Sequence, residues 1–112
     1  MRFRKSNWNK FFDGSNKQTT IRLKKSKLGH QKAYAGSYYH PELLGQFDII
    51  LINQKRYRDL TEEDAKLDGF STLEELKTEL MMINGIIAYD SFVFQHWVSN
   101  VTKSGLSSLR DA

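Results

Sequence analysis

The sequence has no cysteine, which excludes disulfide bonds, thiolate metal sites and thiol nucleophiles. Because nothing then ties the chain to an oxidising compartment, we expect a cytoplasmic protein. Long apolar runs are also lacking, since the longest, from Phe47 to Ile52, is interrupted by Asp48 and is far shorter than a membrane span. The N-terminal stretch MRFRKSNWNK has no apolar segment of the kind that a signal peptide contains. We therefore expect no association with a membrane.

The usual catalytic and nucleotide-binding signatures are missing from the sequence. It contains no phosphate-binding loop, no dinucleotide fingerprint, no HExxH and no GxSxG. The three histidines, His30, His40 and His96, lie far apart and do not have the spacing of metal ligands. We therefore expect neither a metal nor a cofactor. A chain of 112 residues is long enough for one domain with one modest core.

Charge is distributed very unevenly along the chain. Residues 1–32 carry ten Lys or Arg and one acid, whereas residues 59–79 carry eight acids and two lysines. This asymmetry predicts a polarised surface whose basic side attracts an anionic polymer. Aromatic residues are interleaved with the basic ones, as the stacking of nucleobases requires, although the same residues also suit a core. These aromatics are Trp8, Phe11, Phe12, Tyr34, Tyr38 and Tyr39.

The first half of the chain predicts a β-meander preceded by a short helix. Trp8, Phe11 and Phe12 recur at helical spacing, and Thr19–Leu23 is β-branched and typical of a strand. A lysine-rich loop, Lys24–Gly29, follows that strand. Further strands are predicted at Met1–Arg4, Ala33–Tyr39 and Phe47–Ile52, with a turn around Pro41 and Gly45 and a possible extension through Gln54–Leu60.

The acidic segment predicts two consecutive helices. Thr61 and Ser71 each precede an acid by three residues and offer hydroxyl caps. The first helix is expected at Glu62–Leu67, with Gly69 ending it, and the second extends to about Ile83. A closing strand is expected at Ser91–Val98. We expect one domain over residues 1–98 and a polar, flexible tail over residues 99–112.

Two segments of the sequence together resemble the signature regions of the ASCH family. They are GSNKQTTIR, residues 14–22, and DAKLDGFSTLEEL, residues 64–76, and the resemblance extends in order and spacing from Met1 to about Val98. An extra residue, Asn16, precedes the lysine of the first segment. The resemblance implies an α+β fold: a small PUA-like β-barrel of about five to six strands, with helices packed at one end and a cleft between barrel and helices. RNA binding is the function usually inferred for this family.

Some small bacterial members of the family are amidohydrolases that remove the acetyl group from N4-acetylcytidine. The resemblance carries their lysine onto Lys17, their threonine onto Thr20 and their glutamate onto Asp68. A desolvated lysine can take the proton of a threonine hydroxyl while a carboxylic acid protonates the leaving amine. The aspartate is one methylene shorter, and a misplacement of about 1 Å costs on the order of a hundredfold in rate.

The sequence thus favours an RNA-binding or modified-nucleoside-binding module over an enzyme. Its alternatives are the amidohydrolase and a protein-interaction subunit of a translation or transcription complex. Each site residue also has a structural interpretation: Lys17 as a solvated turn residue, Thr20 as a strand former, and Asp68 as a helix end or the partner of Arg22 in an ion pair. The predicted contacts to RNA or nucleoside are Lys17, Arg22, Lys24, Lys25, Lys27 and Tyr34.

Overall fold

The structure, a computed structural model, describes residues 1–104 of the chain and has the expected α+β character. Within these residues, four strands form one antiparallel sheet, accompanied by three α-helices and a 3₁₀ helix at Tyr57–Asp59. The helices are α1 (Lys5–Asn9), α2 (Glu62–Leu67) and α3 (Leu73–Asn84). The strands are β1 (Thr19–Arg22), β2 (Gly29–Gly36), β3 (Pro41–Arg56) and β4 (Phe92–Lys103).

The strand order is β1-β4-β3-β2, so the two longest strands form the centre of the sheet. Within residues 1–104 the short strand β1 pairs with β4 alone, and its register places Thr20 opposite His96 and Arg22 opposite Phe94. Strand β1 is therefore an edge strand. Side chains alternate between the two faces of a strand, so Thr20 and Arg22 lie on the same face.

The predicted turn around Pro41 and Gly45 is wrong, because both residues belong to the 16-residue strand β3. Pro41 opens the strand, a position where a missing N–H is tolerated. Gly45 is required by a close approach, since a Cβ there would clash with the carbonyl of Thr102 and lie 2.8 Å from the Trp8 ring. The turn itself occupies residues 37–40 and follows Gly36, whose φ of +88° favours glycine.

The closing strand also extends beyond its predicted end at Val98. Strand β4 continues to Lys103, which lies opposite Gly45 in the register with β3, and Thr102 lies opposite Gln46. Residues 99–103 of the expected tail therefore belong to the sheet. Their polar sequence does not indicate a strand, and it is the backbone pairing with the long strand β3 that extends β4. The rest of that tail, residues 105–112, lies outside the described residues.

Both predicted helices of the acidic segment are present. Thr61 and Asp64 form a capping box at the start of α2, and Gly69, with a φ of +87°, follows its end. The cap of α3 is Thr72, whose hydroxyl accepts from the Glu75 N–H, and not Ser71 as predicted. None of the helices in residues 1–104 has both the length and the apolar character needed to cross a membrane.

Two hydrophobic clusters pack against the sheet. One joins β1 and β4 to α2 and α3 and includes Ile21, Leu76 and Val93. The other joins the N-terminal segment and α1 to β2 and β3 around Trp8 and Phe47. The predicted N-terminal strand is a single parallel bridge between Arg2 and Tyr34.

Candidate functional site

Lys17 and Asp68, which are 51 residues apart in sequence, form a buried ion pair. The Lys17 Nζ donates to Asp68 Oδ1 at 2.5 Å and to the Asp68 carbonyl at 3.0 Å. The two side chains are only 2% and 6% exposed. The backbones are joined next to the pair, where the Gln18 N–H donates to the Leu67 carbonyl at 2.7 Å. Asn16 adopts a left-handed φ of 57°, which turns the chain just before Lys17.

Burial shifts both members of this pair toward their neutral forms. It lowers the pKa of the Lys17 amine, while the charge of Asp68 opposes that change. Burial also raises the pKa of the Asp68 carboxyl, while Lys17, Arg22 and the Ile21 backbone N–H oppose that change. A proton can therefore pass between amine and carboxylate at a lower free-energy cost than in water.

Thr20 and Arg22 contact each other on the same face of β1. The Arg22 Nε donates to Thr20 Oγ1 at 3.1 Å, and the guanidinium lies over the Phe3 ring with its Cζ 4.5 Å from the ring centroid. Burial lowers the pKa of Arg22 to about 10, so the group stays charged at neutral pH. Among residues 1–104, neither Nη atom of Arg22 has a hydrogen-bond partner, and the ion pair of Asp68 is made with Lys17.

All four of these side chains line one cavity of about 600 Å³. It lies between β1, the N-terminal segment and α3, where the two hydrophobic clusters meet. Its apolar wall includes Ile21, Leu76 and Leu80. Cavities of about 300–1,000 Å³ with an apolar lining and a few convergent polar groups are typical of small-molecule sites.

A group of side-chain hydrogen bonds, here called the clasp, joins Glu79 of α3 to Arg4 and Asn7 beside the cavity. Glu79 accepts from Arg4 Nη1 at 2.8 and 3.0 Å and from the Asn7 side-chain amide at 2.7 Å. Lys5 pairs with Glu42 at 2.9 Å. The sequence pattern gave no signal for this clasp. Arg4, Lys5 and Lys17 are paired with carboxylates, and Arg2 donates to the Gly36 carbonyl. Arg22, whose Nη atoms have no such partner within residues 1–104, is therefore well placed to bind an anionic or carbonyl oxygen.

The structure places the six predicted RNA contacts in three different parts of the molecule. Lys17 and Arg22 line the cavity, whereas Lys24, Lys25 and Lys27 are exposed in the loop between β1 and β2. Tyr34 is half-buried in β2, and its backbone exchanges hydrogen bonds with the N-terminal segment. The residues that border a second depression beside the lysine loop are Lys25, Ser26, Lys27, Leu28 and Ile50–Ile52.

His96 connects β1 to the lysine loop through two hydrogen bonds. It was not predicted as a site residue. Its fully buried ring donates from Nδ1 to the Thr20 carbonyl at 3.0 Å and accepts from the Ser26 N–H at Nε2, also at 3.0 Å. These partners require the neutral ring with its proton on Nδ1. Burial lowers the pKa of His96. A lone histidine without ligand spacing carried no sequence signal for this role.

Asp64, the first acid of the second motif, has a structural role. Its carboxylate closes the capping box of α2 and accepts from Lys55 Nζ at 2.7 Å and from the Gln95 amide at 3.1 Å. Asp64 and Gln95 are both buried. The motif therefore combines a structural aspartate with Asp68, which reaches the cavity.

In the described part of the chain, no group of three His, Asp or Glu side chains is arranged to hold a metal ion. No protein-family model and no curated protein matches the chain.

Proposed function

We propose that this domain is an ASCH-type, PUA-like module that binds RNA or a modified nucleoside by accepting one nucleobase into the cavity. The observation that supports this proposal is the convergence of Lys17, Thr20, Arg22 and Asp68 on a single cavity of about 600 Å³. We also propose that the four-stranded sheet forms the main part of a PUA-like barrel.

The lining offers the hydrogen-bonding groups that a base edge requires. The Nη atoms of Arg22 can donate to a base carbonyl or bind a phosphate bidentately. Thr20 contributes a hydroxyl, and the Lys17–Asp68 pair presents a donor beside an acceptor. Single-stranded RNA is recognised in this way, by bases that are unstacked and hydrogen-bonded on their edges.

Fluorescence anisotropy with a fluorescein-labelled single-stranded RNA octamer tests the proposal. We expect binding at low salt, with each phosphate contact contributing about −0.7 to the slope of log affinity against log salt. Arg22→Ala should weaken binding, whereas Arg58→Ala, a change at an exposed arginine outside the cavity, should not. The absence of binding at low salt, or binding that is insensitive to salt, would refute the proposal.

A second candidate is an amidohydrolase acting on N4-acetylcytidine or a related acylated nucleoside. The observation that favours it is the buried Lys17, which has a lowered pKa and directly contacts Asp68 in the cavity that also contains Thr20. In this mechanism Thr20 Oγ attacks the acetyl carbonyl and neutral Lys17 takes the hydroxyl proton. Protonated Asp68 then donates to the leaving amine as the C–N bond breaks, and water hydrolyses the acetyl-threonine ester.

Incubation of the pure protein with N4-acetylcytidine, followed by chromatography for cytidine, tests the second candidate. We expect Lys17→Ala and Thr20→Val to abolish turnover and Lys66→Ala, a change at an exposed lysine of α2, to preserve it. If the native protein shows no turnover, or Lys17→Ala turns over unchanged, the catalytic mechanism is wrong and the binding proposal is unaffected.

A further inference from the structure

The tip of the β2–β3 hairpin carries two adjacent, exposed tyrosines. Tyr38 is 80% exposed and Tyr39 is 85% exposed, and their ring centroids lie 5.6 Å apart with an interplanar angle of 85°. Neither ring belongs to the two hydrophobic clusters of the described residues. Most of the surface of each ring is therefore accessible to a planar partner.

The backbone holds this tip in a fixed turn. A Cβ at Gly36 would lie 2.7 Å from the His40 carbonyl oxygen, so glycine is required at that position. The His40 N–H donates to the Ser37 carbonyl at 3.2 Å and to the Ser37 hydroxyl at 3.1 Å. A preformed turn reduces the conformational entropy that is lost when a ligand stacks on the rings.

Arg2 connects the tip to the cavity. Its Nη1 donates to the Gly36 carbonyl at 3.0 Å, and its Cζ lies 5.5 Å from the centroid of the Tyr38 ring. Arg2 and Gly36 both line the cavity. A cation and an aromatic surface therefore follow one another outward from the cavity, as in sites that bind single-stranded nucleic acid by phosphate contact and base stacking.

We propose that Tyr38 and Tyr39 form a platform for the base next to the one in the cavity, and that Arg2 contacts the phosphate between these two nucleotides. Because the rings are nearly perpendicular, the base stacks on one ring and contacts the other ring with its edge. This inference rests on the proposed function and specifies its ligand as single-stranded RNA of at least two nucleotides. A free nucleoside would fill the cavity and leave the platform empty.

Salt titrations of octamer binding separate the two contacts. Removing a ring by Tyr38→Ala or Tyr39→Ala should weaken binding by about five- to 150-fold without changing the salt slope, because stacking releases no counterions. Tyr38→Phe should bind as the native protein does. Arg2→Ala should reduce the magnitude of the salt slope by about 0.7. The control is Tyr89→Ala, since Tyr89 is 70% exposed and does not line the cavity.

Binding of cytidine, measured by isothermal titration calorimetry, should be unchanged in both tyrosine variants. If the octamer binds the native protein and these variants equally while Arg22→Ala weakens it, the platform is refuted and the proposed function stands. A contact between the hairpin and a protein would not restore the platform, because the platform is defined by its contact with RNA. If the octamer does not bind the native protein at all, the proposed function itself fails.

Discussion

The Nζ of Lys17 lies 2.5 Å from Oδ1 of Asp68, and this ion pair is buried in the wall of the cavity. The desolvation of two charges commonly offsets their attraction, so a buried ion pair stabilises a fold no better than a well-packed apolar pair. An apolar pair would therefore be enough to join the segment before β1 to the C-terminal end of α2. Both proposed functions use the charge of this pair at the cavity.

Breaking this pair should destabilise the protein strongly. Lys17→Met leaves the Asp68 charge buried and unpaired, which costs about 3–5 kcal/mol in the free energy of unfolding. The double variant Lys17→Met/Asp68→Leu should recover most of that loss, because neither member of the pair is then left as a lone buried charge, yet it should no longer bind the RNA octamer. Urea denaturation of the three proteins measures the effect.

A matched control is Lys5→Met, because Lys5 pairs with Glu42 at the surface. Exposed ion pairs contribute less than about 1 kcal/mol, so this variant should be nearly as stable as the native protein. If Lys17→Met proves no more destabilising than Lys5→Met, the buried pair does not have the energetic role assigned to it.

Stability should fall in mild acid because of His96. Burial lowers the pKa of His96 below its usual value of 6.5, so below about pH 6.5 the unfolded state binds a proton that the folded state does not. The free energy of unfolding should then decrease by up to about 1.4 kcal/mol per pH unit until the folded-state pKa is reached. Nearby Arg22 acts in the same direction, because its charge also disfavours the imidazolium.

Urea denaturation between pH 7.5 and pH 5 measures this dependence. His96→Gln should be less stable at neutral pH but should lose less stability on acidification. His40→Gln is the control, since His40 is exposed and its side chain has no hydrogen bond or ion pair within residues 1–104. Equal pH dependence in native protein and His96→Gln would contradict the assignment.

Asp64 should contribute to the stability of the fold and not to ligand binding in the cavity. Asp64→Ala removes the capping box of α2, which costs about 0.5–2 kcal/mol, and leaves the buried amide of Gln95 without its carboxylate partner, which costs about 1–3 kcal/mol more. Glu63→Ala, an exposed change on the same helix, should cost less than about 0.5 kcal/mol. Thermal melts give the stabilities, and a loss of octamer affinity in folded Asp64→Ala would contradict this separation of roles.

Local signals made α2, α3 and β1 predictable from the sequence. The Thr61 capping box and the β-branched residues of β1 act within a few positions of one another. The turn predicted at Gly45 was wrong, because glycine is required there by the close approach of a carbonyl on β4, more than 50 residues away in sequence. The strand character of residues 99–103 likewise depends on pairing with β3 and not on their own polar sequence.

The candidate site shows the same division between local and long-range causes. The two motifs indicated Lys17, Thr20, Arg22 and Asp68 as a group, but only the fold reveals the contact between Lys17 and Asp68. The contacts of His96 and Glu79 join segments 70 or more residues apart and leave no periodic pattern in the sequence. Single residues whose partners are set by tertiary structure are the ones that sequence patterns miss.

The lysine loop should contact RNA without contributing to the cavity. Lys24, Lys25 and Lys27 are exposed and lie outside the cavity lining, so exchanging all three for Gln should reduce the magnitude of the salt slope for the octamer by up to about 2, at about 0.7 per contact. Cytidine binding should be unchanged, whereas Arg22→Ala should weaken both. The matched control exchanges three exposed basic residues of other elements, Arg58, Lys66 and Lys103, for Gln. Since both triple variants lose the same net charge, equal slopes in the two would mean that the octamer responds to overall charge and that the loop makes no specific phosphate contacts.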